Sequence, residues 1–204
     1  STQATTTTIK PLVRLELADC GITSTFDSDD ATIDNMEMIK QLDMTLKYLD
    51  ISSNPIDSNI TKLGYLSSLE LLYADNIDIG DDIVGLMASS QSMKYLSLEN
   101  CNISNMFNNS GKPWLTTSRK YVFVDLAQNP IAGFDFTFVE NSAANLQYLY
   151  LDTTAEGAIL TSNSEFENNV LAYLSLAGFK IDSIELLPSM ENLAVLNISN
   201  TKLF

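Results

Sequence analysis

Histidine is absent from this chain, which removes the commonest general base and a common metal ligand. A Ser or Cys nucleophile therefore has no imidazole to activate it. The groups left that could do chemistry are Cys20 and Cys101, the acidic cluster Asp27, Asp29 and Asp30, the pair Gly111-Lys112, and the lone Trp114. Each has a plainer reading. The acidic cluster lacks the glycine and the closing glutamate that a calcium loop needs at fixed offsets, so a solvated helix cap is favoured. Gly111-Lys112 lacks the preceding glycine spacing of a phosphate-cradling loop. Trp114, in the Gly-Lys-Pro-Trp insert, is expected to pack over the convex side of the coil rather than to meet a ligand. Carboxylates are plentiful, but nothing in their spacing sets two of them across a cleft. The chain reads as a non-enzyme with no cofactor and no metal.

The remaining chemistry is recognition. Tyr48, Tyr73, Tyr95, Phe123, Tyr148, Tyr150 and Tyr173, with Asp125, recur at fixed places in a longer pattern. That pattern is L-x-x-L-x-L followed by a turn residue and an isoleucine. Its clearest copies are Leu171, Leu174, Leu176, Phe179, Ile181 and Leu193, Leu196, Ile198, Thr201, Leu203. Six earlier copies start at Leu12, Leu46, Leu69, Met93, Tyr121 and Leu146. A three-residue step, then a two-residue step, then a return at near-constant distance suits neither a lone helix nor a lone strand. A coil that closes one turn and begins the next accounts for it.

In the two-residue step the chain is extended, so neighbouring side chains alternate between faces. The leucines point inward. Arg14, Tyr48, Leu71, Tyr95, Phe123, Tyr148, Tyr173 and Val195 then form one outward column. Glu16, Asp50, Tyr73, Ser97, Asp125, Tyr150, Ser175 and Asn197 form the next. Ala18, Ser52, Asp75, Glu99, Ala127, Asp152, Ala177 and Ser199 form the third. An aromatic ridge flanked by carboxylates results. Aromatic side chains favour strands in any case, and cross-rung packing alone could account for them. The functional alternative is a partner surface, because aromatics supply contact area at low entropic cost.

The pattern resembles the leucine-rich-repeat family over residues 12–203, with irregular repeats that partly look like the internalin and SDS22-like classes. The resemblance implies an α/β solenoid: a curved parallel sheet of about eight rungs on the concave face, with loops and short helices on the convex face. Residues 1–11 read as a Ser/Thr-rich tail and 12–204 as one such domain. The function implied is non-catalytic binding of a protein or peptide through Tyr48, Tyr73, Tyr95, Phe123, Asp125, Tyr148, Tyr150 and Tyr173. The alternatives are a structural or surface-assembly component, with self-association through an uncapped C-terminal end at Leu203-Phe204, and an intracellular scaffold or regulator.

Several local expectations follow. Asn54 and Asn129 can bond the backbone of the inner turns, with Cys20, Cys101, Thr154 and Thr201 as smaller substitutes. Ile77 and Phe179 cannot, so the polar ladder should break at the third and seventh rungs. Cys20 and Cys101 stand three rungs apart, about 14 Å, beyond the roughly 7 Å span of a disulfide. Two buried free thiols are expected. Ile33, Met36, Ile39 and Leu42 fall at helical spacing. Phe134, Phe136 and Phe138 alternate as in a short strand.

The net charge of −15, with 11 basic residues, disfavours nucleic acid and anionic membrane surfaces and favours a basic partner. No apolar run is long enough to span a bilayer, so no membrane insertion is expected. No signal peptide is visible. The abundance of Ser, Thr and Asn, the low Lys content and the sequons at Asn59, Asn102, Asn108 and Asn197 favour an extracellular or cell-surface location over a cytoplasmic one.

Overall fold

The computed structural model describes residues 11–23, 42–56, 60–87, 92–107, 111, 114–117, 120–142, 144–161, 170–181 and 190–203. Each outward–inward–outward triplet of the repeat becomes a three-residue strand. These are β1 (Arg14–Glu16), β2 (Tyr48–Asp50), β3 (Leu71–Tyr73), β4 (Tyr95–Ser97), β5 (Phe123–Asp125), β7 (Tyr148–Tyr150), β9 (Tyr173–Ser175) and β11 (Val195–Asn197). They pair in parallel, in chain order, as one eight-stranded sheet. The leucines stand in register, as in Leu49–Leu72, Leu72–Leu96 and Leu149–Leu174. Such short strands hold because each lies between two like it, which pair its backbone and wall in its leucine. Leu72, Leu96, Val124, Leu149 and Leu174 are fully buried. Leu15 and Leu196, on the first and last strands, are only partly so.

A second, shorter sheet runs along the other side of the coil. It consists of β6 (Gly133–Asp135), β8 (Ile159–Thr161), β10 (Lys180–Ile181) and β12 (Lys202–Leu203), in the order β12-β10-β8-β6. The repeat pattern implied only loops and short helices there. Phe134, Phe136 and Phe138 are all buried, but the chain is extended only to Asp135 and then winds into a 3₁₀ helix, Phe136–Ser142. The alternation therefore marks burial without marking a continuous strand. Shorter helical turns line the same side at Ile60–Tyr65, Gly80–Asp82, α1 (Ile83–Met87) and Trp114–Thr117. Trp114 is buried and its indole N–H donates to the Asn105 carbonyl at 3.0 Å. The cluster at Asp27, Asp29 and Asp30 lies outside the described residues. So does the helical stripe of Ile33, Met36 and Ile39. Leu42, its last member, packs partly buried against the core.

The inner turns depart from the expected ladder in an informative way. Asn54 serves the rung before its own: its Oδ1 accepts the N–H groups of Cys20 and Ile22, both at 3.0 Å. Its Nδ2 donates to the carbonyls of Leu17 and Ile51, both at 2.7 Å. Asn129 repeats this with Cys101, Ile103, Leu98 and Leu126. No asparagine follows these two rungs, and there the turn closes on itself. Ile56 N–H donates to the Asn54 carbonyl and Ile131 N–H to the Asn129 carbonyl, both at 2.8 Å. In the sixth rung Thr153, not Thr154, takes the bonding place, donating its hydroxyl to the carbonyls of Asn129 and Ile131. Thr154 is exposed. The Thr201 hydroxyl donates within its own turn, to Ile198.

The residue before this inner position adopts a left-handed conformation in six of the rungs: Asp19, Ser53, Asn76, Asn100, Gln128 and Asn200. The seventh rung uses Gly178. A Cβ there would lie 2.6 Å from the Thr153 carbonyl oxygen, so only glycine fits.

Both cysteines are free thiols, but only Cys101 is buried. Its Sγ donates to the Ala74 carbonyl at 3.0 Å, and burial pushes the thiol up to about 12. Cys20 is exposed, which corrects the expected pair of buried thiols. Its strand β1 has a paired neighbour on one side only, so nothing in the sheet covers its turn from the other.

Candidate functional site: an aromatic ridge on the long sheet

Strand parity and register bring the eight expected residues to the outward face of the long sheet. Tyr48, Tyr95, Phe123, Tyr148 and Tyr173 follow one another through the pairings Tyr95–Phe123, Phe123–Tyr148 and Tyr148–Tyr173, with Leu71 between Tyr48 and Tyr95. Tyr73, Asp125 and Tyr150 occupy the parallel column two residues on. Tyr148 is the most open of the ridge aromatics, 39% exposed, and its companions are half-buried.

The rings gather into two groups. In the first, Arg14 lies over the Tyr48 ring, 3.6 Å from its centroid, and Tyr48 is 5.7 Å from Tyr73. The guanidinium is also held by Glu16, whose Oε1 accepts from Nε at 2.6 Å. In the second, Phe123 meets Tyr148 at 6.3 Å and Tyr150 at 5.6 Å. Tyr150 stacks on Tyr173 at 4.5 Å with an interplanar angle of 26°. Tyr95 stands on the rung between the groups. Burial, with neighbouring acidic groups, raises the phenol of Tyr73 and of Tyr150 above the ordinary tyrosine value, so both stay neutral OH groups.

The flanking carboxylates have structural tasks as well. Asp50 and Asp125 accept the N–H two residues on, from Ser52 at 3.0 Å and Ala127 at 2.9 Å. Rungs four and seven carry Ser97 and Ser175 at that place, and there an aspartate of the preceding rung substitutes. Asp75 accepts the Ser97 hydroxyl at 2.7 Å and Glu99 N–H at 2.9 Å. Asp152 accepts the Ser175 hydroxyl and Ala177 N–H in the same way. Acids in these columns therefore tie off strand ends as well as charging the face. Asp125 is partly buried among them. Burial, aided by Glu99, Asp75 and Asp152, pushes it up to about 6 against the pull of its Ala127 hydrogen bond.

A third row escaped the sequence reading. Glu70 lies between Lys47 and Lys94, with Nζ–Oε distances of 2.9 and 2.6 Å. Hydrogen bonds from Lys94 and Lys47 bring its carboxyl down to about 2. These three residues lie just before the strands, between the first two leucines of the repeat, where alternation assigns no face. Their spacing of 23 and 24 residues, equal to the local repeat, was the available signal.

This surface offers aromatic faces, phenol hydroxyls and fixed carboxylates. Among the described residues no group of His, Cys, Asp or Glu could hold a metal ion, and no helix is long and apolar enough to cross a membrane.

The model of the Leucine Rich Repeat family matches residues 45–67, the second rung and its return. A search of curated proteins finds no match to the sequence. Among solved structures the chain is similar to an internalin from Listeria monocytogenes str. 4b F2365, with a TM-score of 0.60 and 17% identity, over 81% of this chain. The chain spans 44% of that protein. At this identity the likeness concerns the fold. With eight rungs in register and an asparagine at the inner turn of two of them, the chain has the leucine-rich-repeat solenoid fold, and the family model matches one of its rungs.

Proposed function

We propose that this chain is a non-catalytic module that captures a protein or peptide through the aromatic face of its long sheet, and that its partner is basic. The observation that carries the reading is the Tyr148–Phe123–Tyr150–Tyr173 group, four rings linked in sequence by three ring contacts on one outward face beside Asp125. The inward leucines already account for the core, and ring-on-ring packing leaves Tyr148 more than a third exposed. Contiguous aromatic surface of this kind is typical of binding hot spots. A lysine or arginine laid on these rings would gain cation–π contact and the Asp125 charge together. The chain's net charge of −15 would speed the approach of such a partner.

The test compares outward with inward substitutions. Immobilised chain should retain partners from native extracts, and Tyr148→Ala or Tyr173→Ala should lose them while the fold melts almost unchanged. Leu174→Ala, its side chain fully buried, should cost about 2–5 kcal/mol of stability. If the tyrosine variants destabilise the chain as the leucine variant does, the ridge is core packing and the reading fails. The Ser, Thr and Asn content and the low lysine content support an extracellular or cell-surface site for this capture. Fractionation of native source material checks that part separately.

A further inference from the structure

We propose that the outer face of the short sheet binds a small aromatic ammonium compound, in a cleft that Gly133 leaves open beside Phe107, Ile159 and the Asp135 carboxylate. Alternation along β6 and β8 sets up the site. Phe134 and Leu160 are buried, so Gly133, Asp135, Ile159 and Thr161 face outward. The register places Gly133 beside Ile159 and Asp135 beside Thr161. A cleft of about 640 Å³ opens over these four residues and is bounded also by Ser104–Phe107 of the preceding rung. Its size is that of a small-molecule site.

Gly133 shapes the cleft. Its backbone is not left-handed, and a Cβ there would meet only the Ile159 carbonyl oxygen at 3.6 Å, an ordinary contact. The fold therefore does not require glycine, which weakens a strand and often marks close approach by a ligand. A larger residue would project into the cleft. Phe107 and Ile159 line it and remain 44% and 47% exposed, open for side chains of their size. Phe107 stands edge-on to Phe138 at 5.0 Å, and Phe138 to Phe134 at 5.2 Å, so the Phe107 ring is held from behind. A flat apolar group laid over Gly133 would cover both exposed side chains at once.

The charge of the ligand follows from Asp135, the one charged side chain lining the cleft. Its Oδ1 accepts Thr137 N–H at 2.8 Å and its Oδ2 the Thr161 hydroxyl at 3.3 Å. These contacts fix the carboxylate and leave each oxygen a further lone pair. Among the described residues no lysine or arginine pairs with it. An anionic ligand would meet both this carboxylate and the chain's net charge of −15. A neutral ligand would leave the carboxylate unanswered. An aromatic ring gains edge or offset packing on Phe107 beyond its area, which a saturated body of the same size does not. The fit is a flat ring carrying one ammonium group.

The probe is 2-phenylethylammonium, with 2-phenylethanol and phenylacetate as neutral and anionic controls. Binding to the full chain is followed by NMR at the Ile159 methyl and Gly133 amide signals. The ammonium compound should shift them saturably, with a dissociation constant on the order of 0.1–1 mM for so few atoms. Both controls should bind at least about tenfold more weakly, and Asp135→Asn should cost the ammonium compound about the same factor. Gly133→Val, whose Cβ the fold accommodates and whose branched side chain suits a strand, should abolish the shifts and leave the rest of the spectrum in place. Tyr148→Ala, on the other face, should bind the probe as before, so failure here and failure of capture at the ridge are separate results. Absence of a saturable shift at Ile159 at about 10 mM probe overturns the proposal. Equal affinity for either control overturns it too, as does undiminished binding by a folded Gly133→Val or Asp135→Asn chain, or a response confined to the ridge.

Discussion

Asp125 and Glu70 are carboxylates on one sheet with opposite proton affinities, and the contrast comes from what surrounds each. Glu70 lies between two ammonium groups and is held at about 2, below its ordinary 4.5. Its contribution is complete above 4.5 and is lost as pH falls toward 2. Both lysines are nearly half exposed, so screening keeps the contribution to about 0.5–1 kcal/mol, and Glu70→Gln should cost that much at neutral pH. Urea unfolding at pH 7 and at pH 2.5 checks it: the cost should shrink at the lower pH. Asp125 is raised to about 6 from 3.8, so the folded chain holds that proton more tightly than the unfolded one. The fold therefore loses stability as pH rises from 3.8 through 6. Asp125→Asn can still accept from Ala127, and it should leave the fold as stable or more stable at pH 7, by up to about 1 kcal/mol. The same ionisation predicts that capture of a basic partner weakens as pH falls from 7 to 5, and that the variant loses this dependence. Surface plasmon resonance across that range reads it. Neither shift was legible in the sequence. Each depends on groups that the neighbouring rungs supply, which spacing along one rung does not show.

The elements are strands too short to stand alone, joined by turns that each rung shares with the next. Gly178 and Asn129 show how strictly the turns are specified. Gly178→Ala meets both a left-handed backbone and the Thr153 carbonyl 2.6 Å from the new Cβ. It should destabilise the chain by about 1–3 kcal/mol, seen as a lowered urea midpoint. Asn129→Leu strips partners from the buried N–H groups of Cys101 and Ile103. The turns at Ile56 and Ile131 close on themselves without an asparagine, so part of that loss is recoverable and the cost should stay near 1–3 kcal/mol. The inward leucines of the long sheet were legible because alternation and a fixed return leave one arrangement that buries them. The direction in which asparagine acts was not, because spacing does not say which of two flanking turns the amide serves. The short sheet was illegible for a related reason. Its strands are two or three residues long and carry no repeating leucine.

At the scale of the molecule, a continuous leucine core divides two faces with different surface chemistry. The long sheet presents stacked aromatics and acids, and the opposite side carries the shorter parallel sheet beside an apolar cleft. The eight residues of the ridge were placed on one face by parity alone, and the structure brings them there. Parity did not show that Arg14, Tyr48 and Tyr73 form a group of their own, nor that most flanking aspartates are already engaged with backbone N–H groups. The ring contacts narrow the claim to the Phe123–Tyr148–Tyr150–Tyr173 group, with Asp125 beside it. The most direct measurement is the partner dissociation constant of Tyr173→Ala, taken beside its melting temperature. Loss of the ring stacked on Tyr150 should weaken binding at least about tenfold, the scale of a hot spot, with stability nearly unchanged. Unaltered affinity in a folded Tyr173→Ala chain would contradict the account.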